Sequence, residues 1–289
     1  MTEHYFGGAW TEIKLDILEK YLNFFTTALK NQSFDLVYID AFAGTGERYQ
    51  IIPEAPLLDE KEQKLILDGS AIKALSTKVP FDIYYFIEKN KKRLTRLKEI
   101  AENYPDRNIC FSPKDANEEI INICQTLNWR KYRAVMFLDP YGLDVDWDTL
   151  QAIQRTKAID VWYLFSLSGF YRQAATKLAS MEKYKIEKIN KLQGTEDWIN
   201  YIYSNNQSKD QMEMFSKGET IIKRNITVDG FESYIKSRLK SLFPYVSKPL
   251  ALPNTGAQLY SLFFCVSNPN ANAIKLAKKP SNYILKMYE

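Results

Sequence analysis

Apolar residues recur at helical spacing across residues 11–30, where Leu15, Leu18, Leu22, Phe25 and Leu29 share one face. A short β-branched and apolar run follows at 36–42 and predicts a buried strand carrying an acid, Asp40, near its end. Polar and apolar stretches then alternate. Strands are expected at 81–87, 108–111, 133–138 and 159–165, with helices at 68–75, 89–104, 116–127 and 147–155. Strands alternating with helices imply a mostly parallel sheet covered on both faces. Residues 48–67 hold prolines and many charges and are expected to form a loop or lid of low order.

The alternation is lost at 166–225, a stretch rich in Lys, Asn, Gln, Tyr and Ser with helical patches. It reads as a helical insertion or lid at the ligand edge of the sheet. Helix returns at 231–243. Strands at 245–250 and 259–266, joined by a turn with Pro253, Asn254 and Gly256, lie too close in sequence to pair in parallel, so they are expected to be antiparallel. Two helical pieces, 272–278 and 283–287, close the chain. No internal repeat is visible. The expected organisation is one domain over 1–289, with an α/β core at 30–165, the insertion at 166–225, and the final helices and strand pair at 226–289.

Composition narrows the chemistry. The 289 residues are 45% hydrophobic with a net charge of +4, which permits a polyanionic partner without demanding one. No secretory signal is expected at the amino terminus, and apolar runs such as 262–266 are too short to span a bilayer. Cys110, Cys124 and Cys265 are scattered and odd in number, so neither a disulfide framework nor a zinc site is expected, and a cytoplasmic compartment is the simplest. The single histidine, His4, excludes a Ser-His-Asp triad or a multi-histidine metal site.

Three acids stand at predicted strand ends: Asp40, Glu88 and Asp139. In a parallel sheet they share one edge, and the strands carrying Asp40 and Asp139 are expected to be neighbours where the strand order reverses, flanking one crevice. Gly44 and Gly46 after Asp40 suit a loop whose backbone closely approaches a ligand, or a bare tight turn. The loop is not a dinucleotide fingerprint, since Phe42 takes the place of the first glycine and no third glycine follows; nor is it a P-loop. Glu88 is placed either to accept hydrogen bonds from vicinal ribose hydroxyls or to start the next helix. Asp115 reads as a helix N-cap, with an adenine amine as the other candidate partner. Asp139-Pro140-Tyr141-Gly142 is either a simple turn or a group that holds an amine beside a planar base. The basic stretches 89–98 and 275–279 read first as solvated helix faces.

Together these residues resemble the class I S-adenosylmethionine-dependent methyltransferases, over roughly residues 35–165 plus the late strand pair. More closely, Tyr38-Ile39-Asp40-Ala41-Phe42-Ala43-Gly44-Thr45-Gly46, Phe86-Ile87-Glu88-Lys89-Asn90, Phe137-Leu138-Asp139-Pro140-Tyr141-Gly142 and the run 259–272 resemble the three-Cys-motif partner family. The resemblance implies a Rossmann-like fold with a mostly parallel seven-stranded sheet, an antiparallel late strand pair, helices on both faces, and a helical insertion after the fifth strand. It implies a bacterial methyltransferase-like protein that uses S-adenosylmethionine and associates with a three-cysteine, radical-enzyme-like protein. Asp40, Ala43, Gly44 and Gly46 would hold the methionine part of the cofactor, Glu88 the ribose and Asp115 the adenine. Phe42, Lys89 and Ala116 would belong to the same cofactor site.

Asp139, Pro140 and Tyr141 would face the methyl acceptor, as in the Asp/Asn-Pro-Pro-Tyr/Phe motif of enzymes that methylate nucleic-acid amino groups. Tyr141 replaces the second proline and Gly142 the aromatic. The expected activity is methyl transfer to an amino group of a DNA or RNA base, with Tyr141, or Phe170 and Tyr171, stacking on that base. Two other readings remain at this point. One is a methyltransferase-fold scaffold for the three-cysteine protein. The other is a dinucleotide oxidoreductase, against which the missing third glycine counts.

Overall fold

The computed structural model of the chain describes residues 9–51, 64–203, 223–253 and 257–289. Helix α1 (Ala9–Leu29) leads to β1 (Asp35–Asp40). Strands β2 (Glu47–Ile51) and β3 (Lys64–Asp68) form a separate antiparallel pair ahead of the short α2 (Ser70–Leu75). Strict alternation follows: β4 (Ile83–Ile87), α3 (Lys91–Ala101), β5 (Ile109–Ser112), α4 (Ala116–Thr126), β6 (Tyr132–Leu138), α5 (Trp147–Thr156) and β7 (Ile159–Ser166). The insertion contributes α6 (Leu167–Gln173), a short 3₁₀ turn at Leu178–Ser180, α7 (Lys183–Gln193) and α8 (Asp197–Ile202). The chain ends with α9 (Val228–Leu242), β8 (Tyr245–Val246), β9 (Leu250–Leu252), β10 (Tyr260–Val266) and α10 (Ala271–Lys286).

The main sheet has the order β5-β4-β1-β6-β7-β10-β8, with β9 also pairing β10. Strands β5, β4, β1, β6 and β7 are mutually parallel, whereas β10 runs antiparallel to β7, with Leu262 opposite Leu164. Strand β1 sits between β4 and β6, and Asp40 lies opposite Phe86 on one side and Phe137 on the other. The order reverses there, so β1 and β6 flank the crevice where open α/β sheets bind ligands.

Burial explains the near-continuous apolar strands, which are covered on both faces. Leu36 and Tyr38 of β1 pack into one core with α1, α2 and α10. Val37 and Ile39 point the other way, into a second core with α4, α5 and α9. Helix α1 is fixed to the sheet by Tyr21, whose ring lies 5.4 Å from Trp162 and 4.8 Å from Phe264. Its hydroxyl donates to Asp160 at 2.7 Å. This anchoring matters because the first turns of α1 enter the crevice.

The structure corrects three expectations. Residues 48–67 are not wholly irregular: short runs carrying Tyr49 and Ile51 before the prolines, and Leu65, Ile66 and Leu67 after them, pair their backbones as β2 and β3. Residues 52–63 lie outside the described residues, as do His4 and residues 204–222 of the insertion. The expected strand at 245–250 is broken into β8 and β9. There the Ser247 hydroxyl accepts from the Phe264 N–H at 3.0 Å, and Pro249 has no N–H to give to a ladder. The last two helical pieces are one helix, which runs through Pro280. The proline removes a single i→i−4 bond, and Ala277, Ile284 and Leu285 stay buried on either side of it.

Candidate active site

All four sequence-predicted acids stand at the carboxyl edge of the parallel strands. Asp40 closes β1, Glu88 follows β4, Asp115 follows β5 and Asp139 follows β6. The loop after β1 is tied to both neighbouring strands: the Ala41 N–H donates to the Phe137 carbonyl at 3.1 Å and the Ala43 N–H to Ile87 at 3.0 Å. Gly44 and Gly46 then adopt φ of +62° and +80°, where a side chain is strained. The two differ in what a side chain would meet. A Cβ on Gly46 would lie 2.7 Å from Leu97 Cδ1, while one on Gly44 would meet nothing within 4 Å. Gly46 therefore serves packing, and Gly44 borders open space in the cleft.

Two adjoining clefts open at this edge. One, of about 590 Å³, is lined by the 42–47 loop, Ser70, Asp139, Pro140, Tyr141, Lys14 and Trp10. The other, of about 860 Å³, is lined by Glu88, Lys89, Asn90, Asp115, Ala116 and Asn117. Phe42, Arg93 and Tyr141 line both. Each volume falls within the roughly 300–1,000 Å³ typical of small-molecule sites. The two clefts would admit a two-part ligand such as S-adenosylmethionine, with an open glycine, Gly44, bordering one and a carboxylate, Glu88, lining the other.

Asp40 differs from the rest. It is fully buried and lines neither cleft. Its carboxylate accepts from the Tyr38 hydroxyl at 3.2 Å and the Phe42 N–H at 3.3 Å, so it acts by holding the loop. Burial raises its pKa from 3.8 to about 6; a hydrogen bond from Ser70 opposes the rise, and the negative charge of Asp139 adds to it. The folded state therefore binds an extra proton between about pH 4 and about pH 6, and stability falls as pH rises through that window by about 3 kcal/mol. Asp40→Asn should remove this slope and be the more stable protein at neutral pH. Urea denaturation of both proteins below pH 4 and above pH 6 checks this; parallel pH dependences would refute it.

At the second cleft, Glu88 is nearly buried and accepts the Asn90 N–H at 2.7 Å. Asn90, not Glu88, caps α3. Asp115 caps α4 through the Asn117 N–H at 3.0 Å and also pairs with Lys89 at 3.3 Å. Burial pushes its pKa up, but the cap and the lysine outweigh that and leave the carboxyl below its ordinary value. Lys89 is thus directed at Asp115.

The first cleft holds a contact that the sequence alone does not announce. The Asp139 carboxylate is bound by the Lys14 ammonium, with the two side chains 25% and 8% exposed. Lys14 also lies 5.0 Å from the Trp10 ring centroid, and Trp10 stacks on Tyr260 at 4.7 Å. A signal existed: Lys14 sits four residues before Leu18, on the apolar face of α1, where a charge needs a partner. The Pro140 carbonyl accepts the Gly142 N–H at 2.9 Å within a tight turn. Tyr141 is half-exposed at the tip of that turn, with the Arg93 guanidinium 4.9 Å from its ring centroid.

Two aromatic candidates are corrected. Phe170 is fully buried against Phe165 and Phe231. Tyr171 packs on Phe231 and under Arg224, and neither residue lines the clefts. The residue after β7 that does line the first cleft is Arg172. Among the described residues no group of three or more His, Cys, Asp or Glu is arranged to hold a metal ion, and no helix is long and apolar enough to cross a membrane.

No protein-family model matches the sequence, and no curated protein matches it. Solved structures do. Protein LPL1258 from Legionella pneumophila, of family model DUF519, superimposes with a TM-score of 0.52 at 12% identity, over 97% of this chain and 94% of that one. The chain shares that protein's fold, here a Rossmann-like α/β sheet of five parallel strands with an antiparallel late pair. Weaker likenesses are to Trm1 from Pyrococcus horikoshii, solved with S-adenosyl-L-methionine (TM-score 0.47, 9% identity, 96% of this chain and 59% of that one). Another is SMU.1697c, a putative methyltransferase from Streptococcus mutans solved with SAH (TM-score 0.39, 10% identity, 90% and 99%). At these identities the likeness speaks to the fold alone; the chemistry rests on the clefts.

Proposed function

We propose that the protein is an S-adenosylmethionine-dependent methyltransferase acting on an amino group of a nucleic-acid base. The observation that carries this reading is the meeting of the open glycine loop and Asp139 in one cleft at the strand-order reversal, with Glu88 in the adjoining cleft. When bound, S-adenosylmethionine would supply a methyl group already activated on a sulfonium, so the chain chiefly has to orient the reactants. Gly44 lets the backbone approach the amino-acid end, and Asp40 keeps the loop in shape from beneath. Glu88 accepts from the ribose hydroxyls, and Asp115 with Ala116 borders the adenine. An exocyclic base amine is a weak nucleophile because its lone pair is delocalised into the ring. Asp139 accepts a hydrogen bond from that amine and stabilises the positive charge that develops on it. Tyr141 and the Trp10–Tyr260 pair offer ring faces for a base, each stack being worth about 1–3 kcal/mol. A duplex substrate has to flip the base out.

Transfer of labelled methyl groups to total DNA and total RNA tests the reading. Label in one of the two, falling steeply as salt rises, is expected. Label in neither, with the cofactor bound, favours a second reading that the Lys14–Asp139 pair supports. There the cleft is closed to external amines, and the chain serves as a methyltransferase-fold partner of a three-cysteine protein. All three cysteines are unpaired, which suits a reducing compartment such as a bacterial cytoplasm.

A further inference from the structure

Lys14 is more buried than any other lysine with a described ion pair: its side chain is 8% exposed, against 26% for Lys73 and 91% for Lys183. Its ammonium meets a carboxylate, Asp139, and the ring of Trp10, which is backed by Tyr260. A carboxylate with aromatic rings is a setting that favours alkylated ammonium groups, because the ring faces attract the cation without needing its N–H bonds. These residues line the same cleft as Gly44 and Gly46. A primary amine is thus built into the chain at the place the acceptor would take.

We propose that the ε-amino group of Lys14 is itself a methyl acceptor, so that the protein methylates its own chain inside the cleft. This rests on the reading of the cleft as an S-adenosylmethionine site and is independent of the nucleic-acid acceptor. The Lys14 ammonium first gives a proton to the Asp139 carboxylate, which passes it to water. The freed lone pair on Nζ then attacks the sulfonium methyl carbon. The N–C bond forms as the C–S bond breaks, and sulfur keeps the bonding pair, leaving S-adenosylhomocysteine. One proton is released per methyl group. The product is a methylammonium that keeps its charge, its pairing with Asp139 and its place on Trp10. Burial of the side chain confines the step to one molecule, so its rate is independent of protein concentration.

The test incubates the purified full chain with S-adenosylmethionine and locates added methyl groups by peptide mass spectrometry. In parallel, S-adenosylhomocysteine binding is measured by calorimetry, and lysine reactivity towards acetic anhydride is compared with and without S-adenosylhomocysteine. The expected result is methylation of Lys14, absent in Lys14→Arg and slowed about 10²-fold or more in Asp139→Asn. S-adenosylhomocysteine should protect Lys14 from acetylation while leaving exposed Lys183 unprotected. Binding of S-adenosylhomocysteine with Lys14 unmethylated, or methyl groups placed only on other residues, overturns the proposal. Absence of binding overturns the reading of the cleft, and this proposal with it.

Discussion

Gly44→Val should abolish S-adenosylhomocysteine binding while the protein stays folded. At φ +62° a branched side chain costs about 1–2 kcal/mol in backbone strain, and its Cβ meets no atom within 4 Å beyond the adjoining residues. That is a modest part of the ~5–15 kcal/mol typical of a domain and corresponds to a fall in melting temperature of about 2–6 °C. The added carbons fill the space bordered by the glycine loop, so the affinity loss should be at least about 100-fold, or ~2.7 kcal/mol. Calorimetry and thermal melting on the same sample separate the two effects. Gly46→Ala is the contrasting case. Its Cβ falls 2.7 Å from Leu97 Cδ1, a side chain with no solvent exposure, so stability should suffer first. If Gly44→Val binds as tightly as the parent protein, the glycine loop does not hold the cofactor.

Asp139→Ala should abolish methyl transfer and leave S-adenosylhomocysteine affinity nearly unchanged. In the proposed reading the carboxylate serves the acceptor: it lines the same cleft as the glycine loop, where it meets Lys14 and neighbours Pro140 and Tyr141. Removing it also leaves the buried Lys14 ammonium without its carboxylate, at a cost of about 1–3 kcal/mol in stability. Asp139→Asn is therefore the cleaner companion. It keeps the side chain's shape, and its loss of transfer, about 10²–10³-fold, reports the missing charge at the acceptor. Equal loss of binding and transfer would instead make Asp139 a cofactor residue, and loss of neither would take it out of the site.

Much of this arrangement is legible in the chain because strand ends leave local marks. The run from Leu36 to Asp40 is apolar and then abruptly acidic, and such a strand must be buried on both faces and stop at an edge. Glu88 and Asp139 follow the same rule, so the crevice between β1 and β6 is visible in the sequence itself. What escapes depends on partners distant in sequence. Lys14 and Asp139 are 125 residues apart, and only the folded sheet brings the start of α1 over the end of β6. The pairing of β2 with β3 is likewise a register between two short runs separated by prolines, with no periodicity to announce it. Phe170 misleads because an aromatic beyond a strand end is as readily core as ligand surface. Contact with Phe231, 61 residues later, decides for core. Asp40 stands at the expected strand end, yet its role differs from direct cofactor contact, because burial makes it a brace for the loop.

Calorimetric titration of the unaltered protein with S-adenosylhomocysteine, with a thermal melt at each end of the titration, tests whether the edge shared by β1 and β6 holds an S-adenosyl ligand, as proposed. Saturable one-to-one binding is expected, with a stability gain of about 2.7 kcal/mol once ligand reaches a hundred times the dissociation constant. No heat of binding and an unmoved melting temperature at millimolar ligand would contradict it.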